Sequence, residues 1–113
     1  MFHGSVIHGD GLGKGLGYPT ANLDILPQNT NCKDGVYAAK VWLRNKEYKS
    51  ALIIQKARKK VEVYFFDYTG DDFYGVEIEV DPIQKVSEIE TYENDEKLKE
   101  KISKDIELIH QAF

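Results

Sequence analysis

Apolar and polar residues alternate through the middle of the chain. Val36, Ala38 and Lys40 interleave with Tyr37, Ala39, Val41 and Leu43. A repeat of two residues is the mark of an extended strand with one face packed and one open. Asn45-Lys46 reads as a tight turn into a second strand, Tyr48–Gln55. Val61, Val63 and Phe65 then alternate with Glu62, Tyr64 and Phe66. Thr69-Gly70-Asp71-Asp72 has turn chemistry and predicts a hairpin with the run that follows, where Val76, Ile78 and Val80 oppose Glu77 and Glu79. Pro82 lacks a ladder donor and marks an edge or a bulge. Phe2–Ile7 reads as a short first strand.

The period changes near the end of the chain. Leu98, Ile102, Ile106, Ile109 and Phe113 recur at helical spacing. Asn94 is placed to cap that helix, with Asp95 and Glu96 in its first turn, where the dipole favours acids. Lys97, Glu100, Lys101 and Lys104 fall on the face assigned to solvent. Residues 1–34 show neither period. Six of the nine glycines lie from Gly4 to Gly17, and the region reads as loop. Five or six short antiparallel strands and one helix predict a mainly β fold, a small barrel with the helix packed outside. Closure would remove the exposed edges.

At 113 residues the chain has room for a single domain, 1–113. Its formal charge of −4 argues against duplex nucleic acid or an anionic membrane as the main partner. A nucleic-acid-binding barrel fits the aromatic content but not the charge. No apolar run reaches membrane-spanning length. The lone cysteine, Cys32, excludes an internal disulfide and sits among polar residues without a reactive context. His3, His8 and His110 are scattered. Asp67, Asp71 and Asp72 suit a solvated turn better than a cation loop, and Lys56–Lys60 a basic turn. The default compartment is the cytoplasm.

The chemistry concentrates in Gly9-Asp10-Gly11-Leu12-Gly13-Lys14-Gly15-Leu16-Gly17-Tyr18-Pro19-Thr20-Ala21-Asn22. Glycine at alternate positions lets backbone N–H groups approach a bulky anion. The Walker spacing fails, because His8 stands at the required first glycine and Gly15 follows Lys14. The dinucleotide fingerprint fails in every register. A surface loop remains the plainer reading. In an extended segment Thr20 and Asn22 project to one side. Their neutral oxygens suit magnesium, which takes few protein ligands, although turn and cap roles fit both residues too. Glu62 is a single carboxylate in an apolar strand. If its face lines a cavity it is partly desolvated and suited to proton transfer; if solvated it is an ordinary surface residue.

Several stretches together resemble the riboflavin kinase family. They are Gly4-Ser5-Val6-Ile7-His8-Gly9, the glycine run into Pro19-Thr20-Ala21-Asn22-Leu23, Asp34-Gly35-Val36-Tyr37-Ala38, Val61–Tyr68, Asp72-Phe73-Tyr74-Gly75 and Leu98…Ile102…Asp105. The resemblance implies a six-stranded antiparallel Greek-key barrel with a C-terminal helix. It also implies transfer of the γ-phosphate of ATP to the 5′-hydroxyl of riboflavin, giving FMN, with Mg2+. On that basis Gly9, Gly11, Gly13, Lys14, Gly15, Gly17, Thr20 and Asn22 bind nucleotide, Thr20 and Asn22 also hold the metal, and Glu62 is the catalytic base. Two departures stand out: Ile53–Arg58 where the family has Asn-Ile-Gly before Pro-Thr, and Ser87 where it has the Arg of Arg-Pro-Glu. They leave open a catalytically weak or inactive flavin- or nucleotide-binding member acting as sensor or subunit. No adenylyltransferase motif is present.

Overall fold

The computed structural model describes residues 1–7, 20–66, 75–88 and 95–113. Its strands are β1 (Phe2–Ile7), β2 (Thr20–Leu23), β3 (Gly35–Leu43), β4 (Lys46–Gln55), β5 (Lys60–Phe65) and β6 (Glu77–Ser87), followed by helix α1 (Asp95–Gln111). They close into a barrel in the order β1-β2-β5-β4-β3-β6. Every strand pairing is antiparallel. The expected mainly β barrel with an outer C-terminal helix is therefore present.

Strand alternation sorts the side chains into an inside and an outside. Phe2, Val6, Ala21, Leu23, the odd positions Tyr37 to Leu43, Leu52, Ile54, Val61, Val63, Phe65, Ile78 and Val80 fill the barrel. The intervening residues Val36, Ala38, Ala51, Ile53 and Tyr64 form a second cluster outside, closed by Ile109 of α1. Burial on both faces explains why β3 and β4 carry apolar runs as well as alternation. Ile106, Ala112 and Phe113 complete the helix packing. The side chains of Leu98 and Ile102, and the Asn94 cap, lie outside the described residues.

The structure changes three local readings and decides a fourth. Thr20–Leu23 is a strand, not loop. The turn between β3 and β4 is Arg44-Asn45, both with positive φ (52° and 68°), one residue earlier than expected. That conformation matches strand twist in a two-residue hairpin. β6 is not a hairpin partner of β5: it pairs with β1 and β3, while β5 lies between β2 and β4. Barrel closure outweighs sequence proximity here. Pro82 stands opposite Ala39 beside a register shift, so it marks a bulge within a paired strand rather than an edge. The residues of the expected turn, Thr69–Asp72, are outside the described set.

Candidate functional site

Strands β2 and β5 bring together the residues singled out by sequence. The ladder sets Thr20 opposite Tyr64, Ala21 opposite Val63 and Asn22 opposite Glu62. Ala21 and Val63 point into the barrel, so Asn22 and Glu62 stand on its outer wall. That wall is covered: Asn22 is 6% exposed and Glu62 only 1%. The reading of Glu62 as a solvated surface residue is thereby excluded. Ionised carboxylates are almost never buried unless a specific interaction repays their desolvation.

Tyr64 lies two residues along the same face. Its hydroxyl donates to Glu62 Oε2 at 3.5 Å, at the long end of hydrogen bonding. Tyr64 is itself fully buried, sharing its cluster with Ile53 of β4 and Ile109 of α1. Ile53 is the β4 partner of Glu62. The carboxylate is thus set in a packed wall, with the helix bearing on its neighbours.

Two buried side-chain oxygens among the described residues have no hydrogen-bond partner: Asn22 Oδ1 and Gln55 Oε1. Leaving such a group unsatisfied costs about 1–3 kcal/mol. Buried polar atoms are ordinarily paired, and exceptions call for an explanation such as a ligand or ion. Asn22 Oδ1 is a hard neutral oxygen opposite a carboxylate, a donor set that fits magnesium. Thr20 stands in β2 two residues before it. Gly9, Gly11, Gly13, Lys14, Gly15 and Gly17 lie outside the described residues. Among the described residues no group of three or more His, Cys, Asp or Glu gathers to hold a metal by itself.

Ser87 has a different setting from the one its sequence position implied. It is the last residue of β6, and its Oγ donates to Asp105 Oδ2 at 2.6 Å. Lys101 Nζ donates to Ser87 Oγ at 2.8 Å and also to Asp105 Oδ2. Asp105 is buried. Lys101 therefore turns towards the barrel and not to the solvent face assigned by its charge. The spacing of Lys101, Asp105 and Ile109, each four residues apart, was the available signal. Cys32 is also less isolated than expected: it packs against the barrel interior. His3 stays near Glu77 and Glu79, and His110 lies 4.5 Å from the Phe66 ring.

Comparison with known proteins extends these observations. The riboflavin kinase (Flavokinase) family profile matches residues 1–113. A bifunctional riboflavin kinase/FMN adenylyltransferase of Buchnera aphidicola subsp. Schizaphis graminum is 36% identical across 97% of this chain, which spans 38% of that protein's length. The crystal structure of a macrolide-efflux protein from Streptococcus pneumoniae matches with a TM-score of 0.74 and 27% identity, over 96% of this chain and 35% of that one. Riboflavin kinase from Trypanosoma brucei shares the fold, with a TM-score of 0.63 at 23% identity over 96% of this chain and 73% of its own.

Proposed function

The chain belongs to the riboflavin kinase family, and from that premise we propose that it transfers the γ-phosphate of ATP to the 5′-hydroxyl of riboflavin, yielding FMN and ADP. The observation that carries this reading is Glu62: 1% exposed, on the outer wall, opposite the unpartnered Asn22 Oδ1. Phosphoryl transfer depends mainly on positioning and charge neutralisation, but the attacking hydroxyl must also lose its proton. Glu62 orients that hydroxyl and accepts the proton as oxygen bonds to the γ-phosphorus. The bond from that phosphorus to the β,γ-bridging oxygen breaks, and ADP leaves.

Asn22, with Thr20, holds the donor side of the site. Thr20 and Asn22 would hold Mg2+, which would supply neutralisation of the phosphate charge. The unpartnered Oδ1 is the ligand atom this assignment uses, and the proton is assigned to Glu62. The glycine run Gly9–Gly17 and Lys14 are assigned to the phosphates on the strength of the family resemblance. The reading of a catalytically weak relative leaned on the Ile53–Arg58 region and on Ser87, of which Ser87 has a different explanation. That side chain is engaged in docking α1, so its identity bears on the helix before it bears on substrate.

The deciding measurement is FMN formation from riboflavin, ATP and Mg2+ by wild type and Glu62→Gln. The amide keeps the size and loses the basicity. General-base catalysis contributes about 10²–10⁴-fold, so turnover should fall by at least about a hundredfold while riboflavin still binds. Wild type without activity would end the kinase reading. An active Glu62→Gln would end the base assignment alone.

A further inference from the structure

Gln55 is the second buried side chain whose oxygen lacks a partner among the described residues, and the reaction above gives it no task. It ends β4 and is only 7% exposed. Ala51 and Ile53, the alternate residues before it, both belong to the outer-wall cluster, whereas Leu52 and Ile54 fill the barrel. Gln55 continues the outer series. It therefore shares the wall with Glu62.

The strand order sharpens this placement. β5 runs between β2 and β4. Asn22 is opposite Glu62 on one side, and Ile53 is opposite it on the other, with Gln55 one outward position beyond Ile53. Diagonal neighbours of this kind lie about 7–8 Å apart, the reach of a few linked hydroxyl-bearing carbons. Two unpartnered acceptors thus flank one buried carboxylate from opposite strands. An apolar side chain would continue the Ala51–Ile53 series without leaving any atom unsatisfied.

The atom left unpartnered decides the ligand chemistry. A carbonyl oxygen needs a donor or a cation. Phosphate groups present only lone pairs to it, so the phosphate donor does not suit this side of Glu62. A polyol supplies O–H donors. We propose that Gln55 is a substrate-binding residue whose side-chain carbonyl accepts a hydrogen bond from a hydroxyl of the acceptor's polyol chain. It would hold that chain on the β4 side of Glu62, with the phosphate donor on the β2 side at Asn22. This assignment rests on the kinase reading and deepens it.

The test compares riboflavin with lumiflavin, which has the same ring system without the polyol. Gln55→Met keeps the volume and removes the acceptor. Fluorescence titration should show riboflavin binding weakened about tenfold, the worth of one hydrogen bond with its ligand hydroxyl left unpaired. Lumiflavin affinity should not change, and the ligand-free melting temperature should hold or rise. Equal weakening of both flavins overturns the proposal. So does a loss confined to ATP binding, which would point to the nucleotide's ribose. In case the variant does not fold, wild type gives a second readout. Its Gln55 side-chain carbonyl carbon resonance should shift on adding riboflavin and not on adding lumiflavin; no shift with riboflavin overturns the assignment. Wild type that phosphorylates riboflavin without these Gln55 effects removes this inference alone, whereas wild type that neither binds nor phosphorylates it removes the kinase reading as well.

Discussion

Asn22 and Glu62 face each other across the β2–β5 ladder, both nearly inaccessible to water. One is a neutral acceptor lacking a partner and the other a carboxylate. Their pairing leads to a charge test that needs no catalytic assay. Asn22→Asp puts two carboxylates at directly opposed positions in a covered wall. Like charges there cannot both ionise cheaply, so one of the pair would hold its proton to higher pH in the folded variant than in the unfolded chain. A folded-state pKa raised above the unfolded value means stability present at low pH and lost as pH rises. Asn22→Asp should therefore melt near wild type in acid and progressively below it towards neutrality. Mg2+ should restore part of the loss at neutral pH by mass action on the folded state. Thermal melts from acid to neutral pH check this, and a difference that stays flat with pH would sink it.

Helix α1 contributes a single fully buried apolar side chain among its described residues, Ile109, and that side chain packs with Tyr64, Ile53 and Val36. Truncating a buried Ile to Ala costs about 2–5 kcal/mol. That is a large share of the roughly 5–15 kcal/mol of a domain this size. Ile109→Ala should lower denaturant stability within that range. It should also lower turnover at temperatures where the barrel is still folded, because Tyr64 then loses its cover beside Glu62. Normal turnover together with the full loss of stability would detach α1 from the site.

What could be read in advance follows the physics of each element. The barrel interior imposes a strict alternation, so Val61, Val63 and Phe65 announced β5, and Ile78 and Val80 announced β6. β2 escaped because Thr20–Leu23 is too short to display a period after a glycine run. The β5–β6 hairpin was expected from the turn chemistry of Thr69–Asp72, but β6 pairs with β1 and β3 as the barrel closes. Glu62 was legible as a candidate by its oddity in an apolar strand. Its burial was not, since the cover comes from elements distant in sequence. Lys101 was assigned to solvent by residue type, whereas a buried Asp105 one turn later turns it inwards. Gln55 gave no local sign, because an unpartnered oxygen exists only in three dimensions.

Alkaline pH offers a test of the barrel interior. Tyr37 is buried, and its hydroxyl donates to the Lys33 carbonyl at 2.7 Å. Desolvation, aided by Cys32, raises its pKa above the usual tyrosine value of 10.0. A raised folded-state pKa makes the contribution complete below the unfolded value and lost as pH climbs through the folded one. Tyr37→Phe removes the hydrogen bond, worth about 0.5–1.5 kcal/mol, and removes this titration with it. The stability advantage of wild type over Tyr37→Phe should therefore shrink between about pH 9 and pH 11. Urea melts at both ends measure the difference, in which the other tyrosines cancel. A constant gap would show that Tyr37 does not titrate differently on folding.

The Ser87 position can be tested as one member of a charge-balanced cluster. Ser87 Oγ accepts from Lys101 Nζ and donates to Asp105 Oδ2, and Lys101 Nζ also donates to Asp105 Oδ2 directly, so one cation and one hydroxyl serve one buried carboxylate. The family resemblance expects Arg at this position. Ser87→Arg alone brings a second cation to a carboxylate already paired with Lys101, and displaces the bridging hydroxyl. It should lower the melting temperature. Lys101→Gln alone should lower it too, because Asp105 then loses its cation while remaining buried, and an uncompensated buried charge is costly. Combined, Ser87→Arg and Lys101→Gln return the cluster to one cation, now supplied from β6 instead of α1. The double variant should be more stable than the two single losses add up to, with a coupling of about 0.5–3 kcal/mol, as found for residues in one ion-pair network. Its riboflavin turnover should return close to wild type, since α1 is docked again over the wall that carries Tyr64. Strict additivity of the two losses would show that Ser87 and Lys101 do not share Asp105 in solution. Recovery of stability without recovery of turnover would place an additional task on the lysine.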